Sequence, residues 1–321
     1  MFQYPYINLF ILTLFSRTLI ALSSSHWLII WMALEINIIS FIPIMSSSNW
    51  FQESEASLKY LLFQALGSSF ILIRLLDRTF SLFPLLGLCI KLGLAPAHYW
   101  FPAAIKSLSW PAATLLITWQ KLAPIFLLIT SFNRFCTSLC LLGALNALVG
   151  GFGGLNQTHL RSLLSYSSIG HMGWMITTAA FAPTIRGFYL SVYIVISTPL
   201  IIAAFIGGIH SIKQPSKPHF FTVVWIVVPC ILSLSGLPPF TGFLPKLISI
   251  LSFSNFILPL VLLFGSLLNL SYYLNFFFSL FLSSHKKSFT NPVPRPPLPL
   301  SVLVCLSTFP LPLALRVPLL L

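Results

Sequence analysis

Nearly the whole chain consists of runs of about twenty mostly apolar residues, and that feature dictates the solvent it folds in. Cutting at polar or turn-rich punctuation gives segments near 6–22, 27–45, 57–76, 80–109, 111–130 and 135–153, then 163–182, 188–210, 222–252, 255–283 and 298–318. A bilayer core takes about 20 residues of helix per crossing, so these are eleven candidate spans. They read as helices, because the strands of a membrane barrel would alternate polar and apolar residues. Connections reach about a dozen residues and leave no room for a soluble domain. The last segment is interrupted by Pro299, Pro310, Pro312 and Pro318, and NPVPRPPLPL (291–300) ahead of it reads as a stiff connecting loop. The expected class is an all-α polytopic membrane protein, with residues 1–321 forming one integral membrane domain.

Composition agrees. Only 7% of the 321 residues are charged and 57% are hydrophobic, against about a quarter charged in soluble domains. Lys and Arg number 17, but Asp and Glu only four: Glu35, Glu53, Glu55 and Asp77. So few carboxylates argue against carboxylate catalysis and oxygen-liganded metal sites. The net charge of +13 is scattered singly through apolar sequence, so it forms no nucleic-acid footprint. Cys89, Cys136, Cys140, Cys230 and Cys305 form no C-x-x-C cluster, and the odd count supports no disulfide framework. No metal or cofactor is expected in this chain. The opening MFQYPYINLF has no base before Arg17, unlike a cleavable signal or an Arg-rich transit peptide. Synthesis inside an organelle, or direct insertion into a bacterial membrane, fits that start.

With eleven spans the loops alternate sides. Lys59, Lys106, Arg161, Lys213, Lys217, Lys286, Lys287 and Arg295 fall on the side of the N-terminus, and Arg74, Arg78, Arg134 and Arg186 on the other. This places the N-terminus on the positive side, matrix or cytoplasm, and the C-terminus opposite.

Three lysines have no place at a membrane edge. Lys91 sits in LGLCIKLGLAP, Lys121 lies ten residues into its span in LLITWQKLAPIF, and Lys246 follows GLPPFTGFLP. Among the acids, Glu35 is their counterpart, eight residues into its span in IIWMALEINIIS. An ionisable group near mid-bilayer costs roughly 2.5–3.5 kcal/mol on insertion scales, so four cost on the order of 10 kcal/mol. A buried structural ion pair could account for Glu35 with one lysine, but one carboxylate cannot neutralise three ammonium groups. These four are therefore the candidate site. His171, amid Ser165, Tyr166, Ser167 and Ser168, is a candidate proton relay on a polar stripe suited to holding water; a hydrogen-bonded core histidine is the competing reading.

GLAPAHYWFP (93–102) and GLPPFTGFLP (236–245) share G-L-x-P and a second proline at matched spacing. Both lie in segments too long for one straight span. Gly and Pro free backbone groups, which is tolerated inside a membrane where broken helices line a polar cavity, and matched breaks in two halves are the trace of a transporter repeat. Lys91 precedes its break and Lys246 follows its own. His98, at the first break, is a candidate cap for the freed backbone. GGFGG (150–154) lacks the third glycine of a dinucleotide loop and reads as close helix packing or a flexible helix end.

In this order, WMALEINIISFIPI, ESEASLKYLLFQ, KLGLAPAHYWFP, LITWQKLAPI, GGLNQTHLRSLLSYSSIGHMGW and GLPPFTGFLPK resemble the subunit 2 family of mitochondrial NADH:ubiquinone oxidoreductase, respiratory complex I. The resemblance covers residues 16–250 or so; beyond about 255 only hydrophobicity is shared. It implies an antiporter-like membrane-arm subunit in the shortened form of about eleven helices. Two inverted repeats, about 6–130 and 135–283, would each hold a broken helix, with a C-terminal helix near 298–318. The family's proton-path residues fall on Glu35, Lys91, Lys121 and Lys246. Departures are Ser162, where a basic residue usually stands, Leu247 in place of a tryptophan, and a short connection near 74–80.

The resemblance implies proton translocation along a hydrated Glu-Lys-Lys-Lys row at the mitochondrial inner membrane. NADH, FMN, iron–sulfur clusters and ubiquinone would belong to partner subunits, with other membrane-arm and accessory subunits and the bilayer as partners. Two other functions compete: a free-standing cation/proton antiporter, and a structural membrane subunit without transport.

Overall fold

The computed structural model describes residues 5–47, 50–76, 82–131, 136–182, 185–208, 220–253 and 256–285, and every regular element there is a helix. The chain divides into two compact units, Met1–Phe135 and Cys136–Leu321. The first holds α1 (Pro5–Ser23), α2 (Trp27–Met45), α3 (Phe51–Leu76), α4 (Leu82–Leu92), α5 (Trp100–Ser107), α6 (Trp110–Ile117) and α7 (Trp119–Ser131). The second holds α8 (Cys136–Gly154), α9 (Leu160–Phe181), α10 (Ile185–Gly207), α11 (Phe220–Ser235), α12 (Phe243–Ser252) and α13 (Ile257–His285).

Seven helices among the described residues are long and apolar enough to cross a membrane, fewer than the eleven expected spans. The difference has physical causes. Segments 80–109, 111–130 and 222–252 are each broken into two helices, although α6 and α7 together still make one 22-residue crossing. Segment 163–182 forms α9, which is long but rich in Ser and Thr and carries His171. Neighbouring helices bury most of its length, so it can carry polar side chains that lipid would reject. Segment 298–318 and the proline-rich loop lie outside the described residues. So do Arg78, Arg134, Lys213, Lys217, Lys286, Lys287 and Arg295, which carry most of the orientation count.

Burial is inverted relative to a protein folded in water. Leu12 and Leu141 are 69% and 68% exposed, whereas Lys91 and Lys246 are 6% and 4% exposed. Outward-facing Leu, Ile and Phe with inward-facing lysine, serine and histidine is what a hydrocarbon solvent selects.

In the first unit α2 packs on α1 and α3, α3 on α4 and α5, and α4 on α7. In the second, α8 packs on α9 and α13, and α11 on α10 and α13. The α8–α9 contact is close because of glycine: a Cβ on Gly150 would lie 2.5 Å from the Gly170 nitrogen and 2.7 Å from the Tyr166 carbonyl. GGFGG therefore ends α8 as a packing surface rather than as a loop.

The two G-L-x-P motifs end their helices in the same way. In the first, Gly93 at φ +67 donates to the Ile90 carbonyl and Leu94 to the Cys89 carbonyl, both at 3.0 Å. In the second, Gly236 at φ +82 donates to Ser233 O at 3.0 Å and Leu237 to Leu232 O at 3.5 Å. Both are Schellman caps, with glycine taking the left-handed conformation that other residues resist and proline three residues on preventing continuation. The motif is thus a helix stop written twice.

Candidate functional site

In the first unit the site forms where α2, α3, α4 and α7 meet around the first helix stop. Lys91 occupies the last turn of α4. Its stem fits against α3 because position 67 is glycine; a Cβ there would lie 2.9 Å from Lys91 Cγ. The carbonyls freed by the stop have partners. Trp100 Nε1 donates to Ile90 O, and Gln64 Nε2 donates to Lys91 O, both at 3.1 Å. These two donors cap the end of α4, while His98, expected to cap backbone freed at the break, donates to the Pro96 carbonyl within it. His98 stacks on Tyr99 with ring centroids 4.1 Å apart.

Glu35 on α2 is half-buried, and its carboxylate is near enough to act electrostatically on Lys91 and Tyr60. The two charged groups make no direct salt bridge, and Lys91 Nζ is buried without a hydrogen bond. Lys121, near the start of α7, is 4% exposed, with Nζ 4.5 Å from the Phe101 ring centroid, a cation–π distance. Lys91 and Lys121 line one cavity, about 370 Å³ including its mouth, together with Asn37, Gln64 and Gln120. Two lysines 30 positions apart thus share one polar pocket beside a carboxylate.

In the second unit Lys246 lies in the first turns of α12 and reaches back across the break. Its Nζ donates to Ser235 O, the last carbonyl of α11, at 2.7 Å. A cation there is stabilised by the negative end of the helix dipole. Gly236 makes this approach possible, since a Cβ would lie 2.8 Å from Lys246 Nζ. Each broken helix therefore places a lysine at a helix C-terminus, Lys91 within the terminal turn and Lys246 docked onto it.

His171 is 6% exposed in α9, its Nδ1 3.1 Å from the Tyr189 hydroxyl and its ring 5.3 Å from that of Tyr193. The neighbouring serines, expected as a polar stripe suited to holding water, are buried beside the histidine. Ser162, Ser165, Ser167 and Ser168 donate to carbonyls three residues back on their own helix, at 2.6–3.0 Å. An intrahelical acceptor is always in reach of such a hydroxyl proton, and the oxygen keeps its acceptor sites.

Asn37, Gln64 and Gln120 escaped the sequence reading because only ionisable residues were weighed against the bilayer. Amides inside apolar spans carry the same signal at lower amplitude.

The family described as NADH:quinone oxidoreductase/Mrp antiporter, TM, matches residues 24–77 and 75–271. A relative named NADH-ubiquinone oxidoreductase chain 2, from Lumbricus terrestris, is 42% identical over 293 residues, covering 86% of this chain and 87% of its own. This chain belongs to that family. A chain 2 from Pongo abelii is 36% identical over 332 residues, covering 94% of this chain and 95% of its own. The fold is shared with a chain of the archaeal membrane-bound sulfane sulfur reductase, at TM-score 0.82 and 18% identity over 93% of this chain and 71% of that one. A chain of respiratory complex I from Thermus thermophilus has TM-score 0.77 and 23% identity, covering 93% of this chain and 75% of its own. An antiporter-like, complex I type chain, it buries Lys91, Lys121 and Lys246 among helices and leaves large apolar side chains such as Leu12 and Leu141 exposed.

Proposed function

We propose that this chain translocates protons as a membrane-arm subunit of NADH:ubiquinone oxidoreductase in the mitochondrial inner membrane. The observation that carries the reading is the cavity shared by Lys91 and Lys121 with Glu35 alongside, in a chain 42% identical to a relative named NADH-ubiquinone oxidoreductase chain 2. The Glu35 carboxylate stabilises the charged form of Lys91 while the two are close. Separating them weakens that hold and sends the proton towards Lys121. Lys246 is the exchange point with the opposite compartment, and His171 with its Tyr189 partner a relay. The two units are the two inverted repeats, and the N-terminus lies on the matrix side.

Moving one charge against 100 mV requires about 2.3 kcal/mol. That work comes from NADH oxidation and quinone reduction in partner subunits, which hold the FMN, the iron–sulfur clusters and the ubiquinone site. This chain's own residues hold and pass protons. Lys91→Ala in the assembled complex is expected to lower both proton release and coupled quinone reduction, with the amount of assembled complex unchanged. Full pumping by that variant would sink the proposal. A free-standing cation/proton antiporter is the alternative supported by the family's Mrp members. It predicts that the purified chain migrates alone rather than with an NADH-oxidising assembly.

A further inference from the structure

The cavity between Lys91 and Lys121 contains an amide pair that the proton path does not use. Asn37 Nδ2, on α2, donates to Gln120 Oε1, at the start of α7, at 2.9 Å. Each amide is left with one buried polar atom that has no hydrogen bond: Asn37 Oδ1, an acceptor, and Gln120 Nε2, a donor. Turning the pair over exchanges O and N but again leaves one acceptor and one donor. Lys91 Nζ is a third buried atom without a hydrogen bond, and all three residues line the same cavity. Protein interiors leave few such atoms without a protein or water partner, and a bound water takes two to four of them. The leftover donors and acceptor are the set that a water needs.

We propose that the Asn37–Gln120 pair is a water-positioning device, holding water in the cavity so that Lys91 and Lys121 exchange protons through it; this rests on the proton-translocating reading above. Neither amide titrates near neutral pH, so neither carries the proton. In the step they support, an N–H bond of the Lys91 ammonium breaks and an O–H bond forms on the water. That water loses one of its own protons to the Lys121 amine, so the water is regenerated and one positive charge moves. Asn37 Oδ1 orients the water by accepting its other O–H, and Gln120 Nε2 donates to its oxygen when the proton is absent.

Two measurements on the assembled complex test this. A map fine enough to resolve water is expected to show density about 2.8 Å from Asn37 Oδ1 and within hydrogen-bond reach of Lys91 Nζ; a dry cavity overturns the proposal. In the second, Asn37→Leu and Gln120→Leu are each expected to slow redox-coupled proton release about tenfold, the loss expected when one hydrogen bond to a charged group is removed. The exchanged double variant Asn37→Gln/Gln120→Asn, which restores an amide pair, is expected to recover most of the rate. A merely structural contact would lower the thermal inactivation midpoint in step with the rate, whereas water positioning lowers the rate with that midpoint unchanged. Wild-type pumping by both leucine variants, with Lys91→Ala inactive, overturns this inference and spares the proton path. Normal pumping by Lys91→Ala overturns both. If the leucine variants fail to assemble, the water map and the exchanged pair decide.

Discussion

Gly236→Ala tests whether the second helix stop holds Lys246 in place. The perturbation leaves the lysine intact and alters only its seat. Gly236 has φ +82, where an alanine costs about 1–2 kcal/mol. Its Cβ would sit 2.8 Å from Lys246 Nζ and 2.9 Å from Lys246 Cδ. The far end of a flexible side chain yields before backbone does, so the lysine leaves Ser235 O, which it now meets at 2.7 Å. Losing a hydrogen bond from a charged donor costs about 1.5–3 kcal/mol. Together the two effects amount to roughly 2.5–5 kcal/mol, and the lysine's share alone depopulates its seat by at least about tenfold. The assay compares assembled amount, thermal inactivation and protons released per electron pair with Gly187→Ala, a helical position where an added Cβ meets nothing within 4 Å. Gly187→Ala is expected to be neutral or to stabilise by less than about 1 kcal/mol. If Gly236→Ala matches Gly187→Ala in all three measurements, the assignment of Gly236 as the lysine's seat is wrong.

Gly150→Ala would place a methyl 2.5 Å from the backbone nitrogen of Gly170. Backbone cannot swing aside, so α8 and α9 must separate; a destabilisation of about 1–3 kcal/mol is expected, read as a lower thermal inactivation midpoint of the purified complex. Lys59→Met removes the salt bridge to Glu55, whose partners are 46% and 53% exposed. It is expected to change stability by less than about 0.5 kcal/mol and to leave proton release unaltered.

The two helix stops were legible because glycine and proline act locally. A glycine that takes positive φ, with a proline three residues on, ends a helix, and GLAP and GLPP do so with the same pair of backbone hydrogen bonds. The four intramembrane charges stood out for a similar reason, since the cost of placing each in hydrocarbon is a property of one residue at one depth. Less was visible where a neighbour decides the outcome. Gln64 and Trp100 cap the end of α4 from 27 and ten residues away, whereas His98 bonds backbone only two residues back, at Pro96. The serines of α9 read as a polar stripe, but that their protons go to carbonyls of their own helix shows only in three dimensions. The amide pair joins residues 83 positions apart, a separation that no local pattern reports.

Taken alone, the order of amino acids settled the solvent, the helical class, the helix stops and the three buried lysines, though not the buried Glu53. Each follows from hydropathy, backbone geometry or desolvation cost, quantities that belong to short stretches of chain. Tertiary packing decided the rest: that Lys91 and Lys121 open into one cavity, that Glu35 stands near Lys91 without touching it, and that Lys246 rests on the carbonyl of Ser235. These depend on close helix approach, at Gly67 against Lys91 and at Gly236 against Lys246. A glycine's missing side chain becomes informative only once the neighbour that fills its place is known.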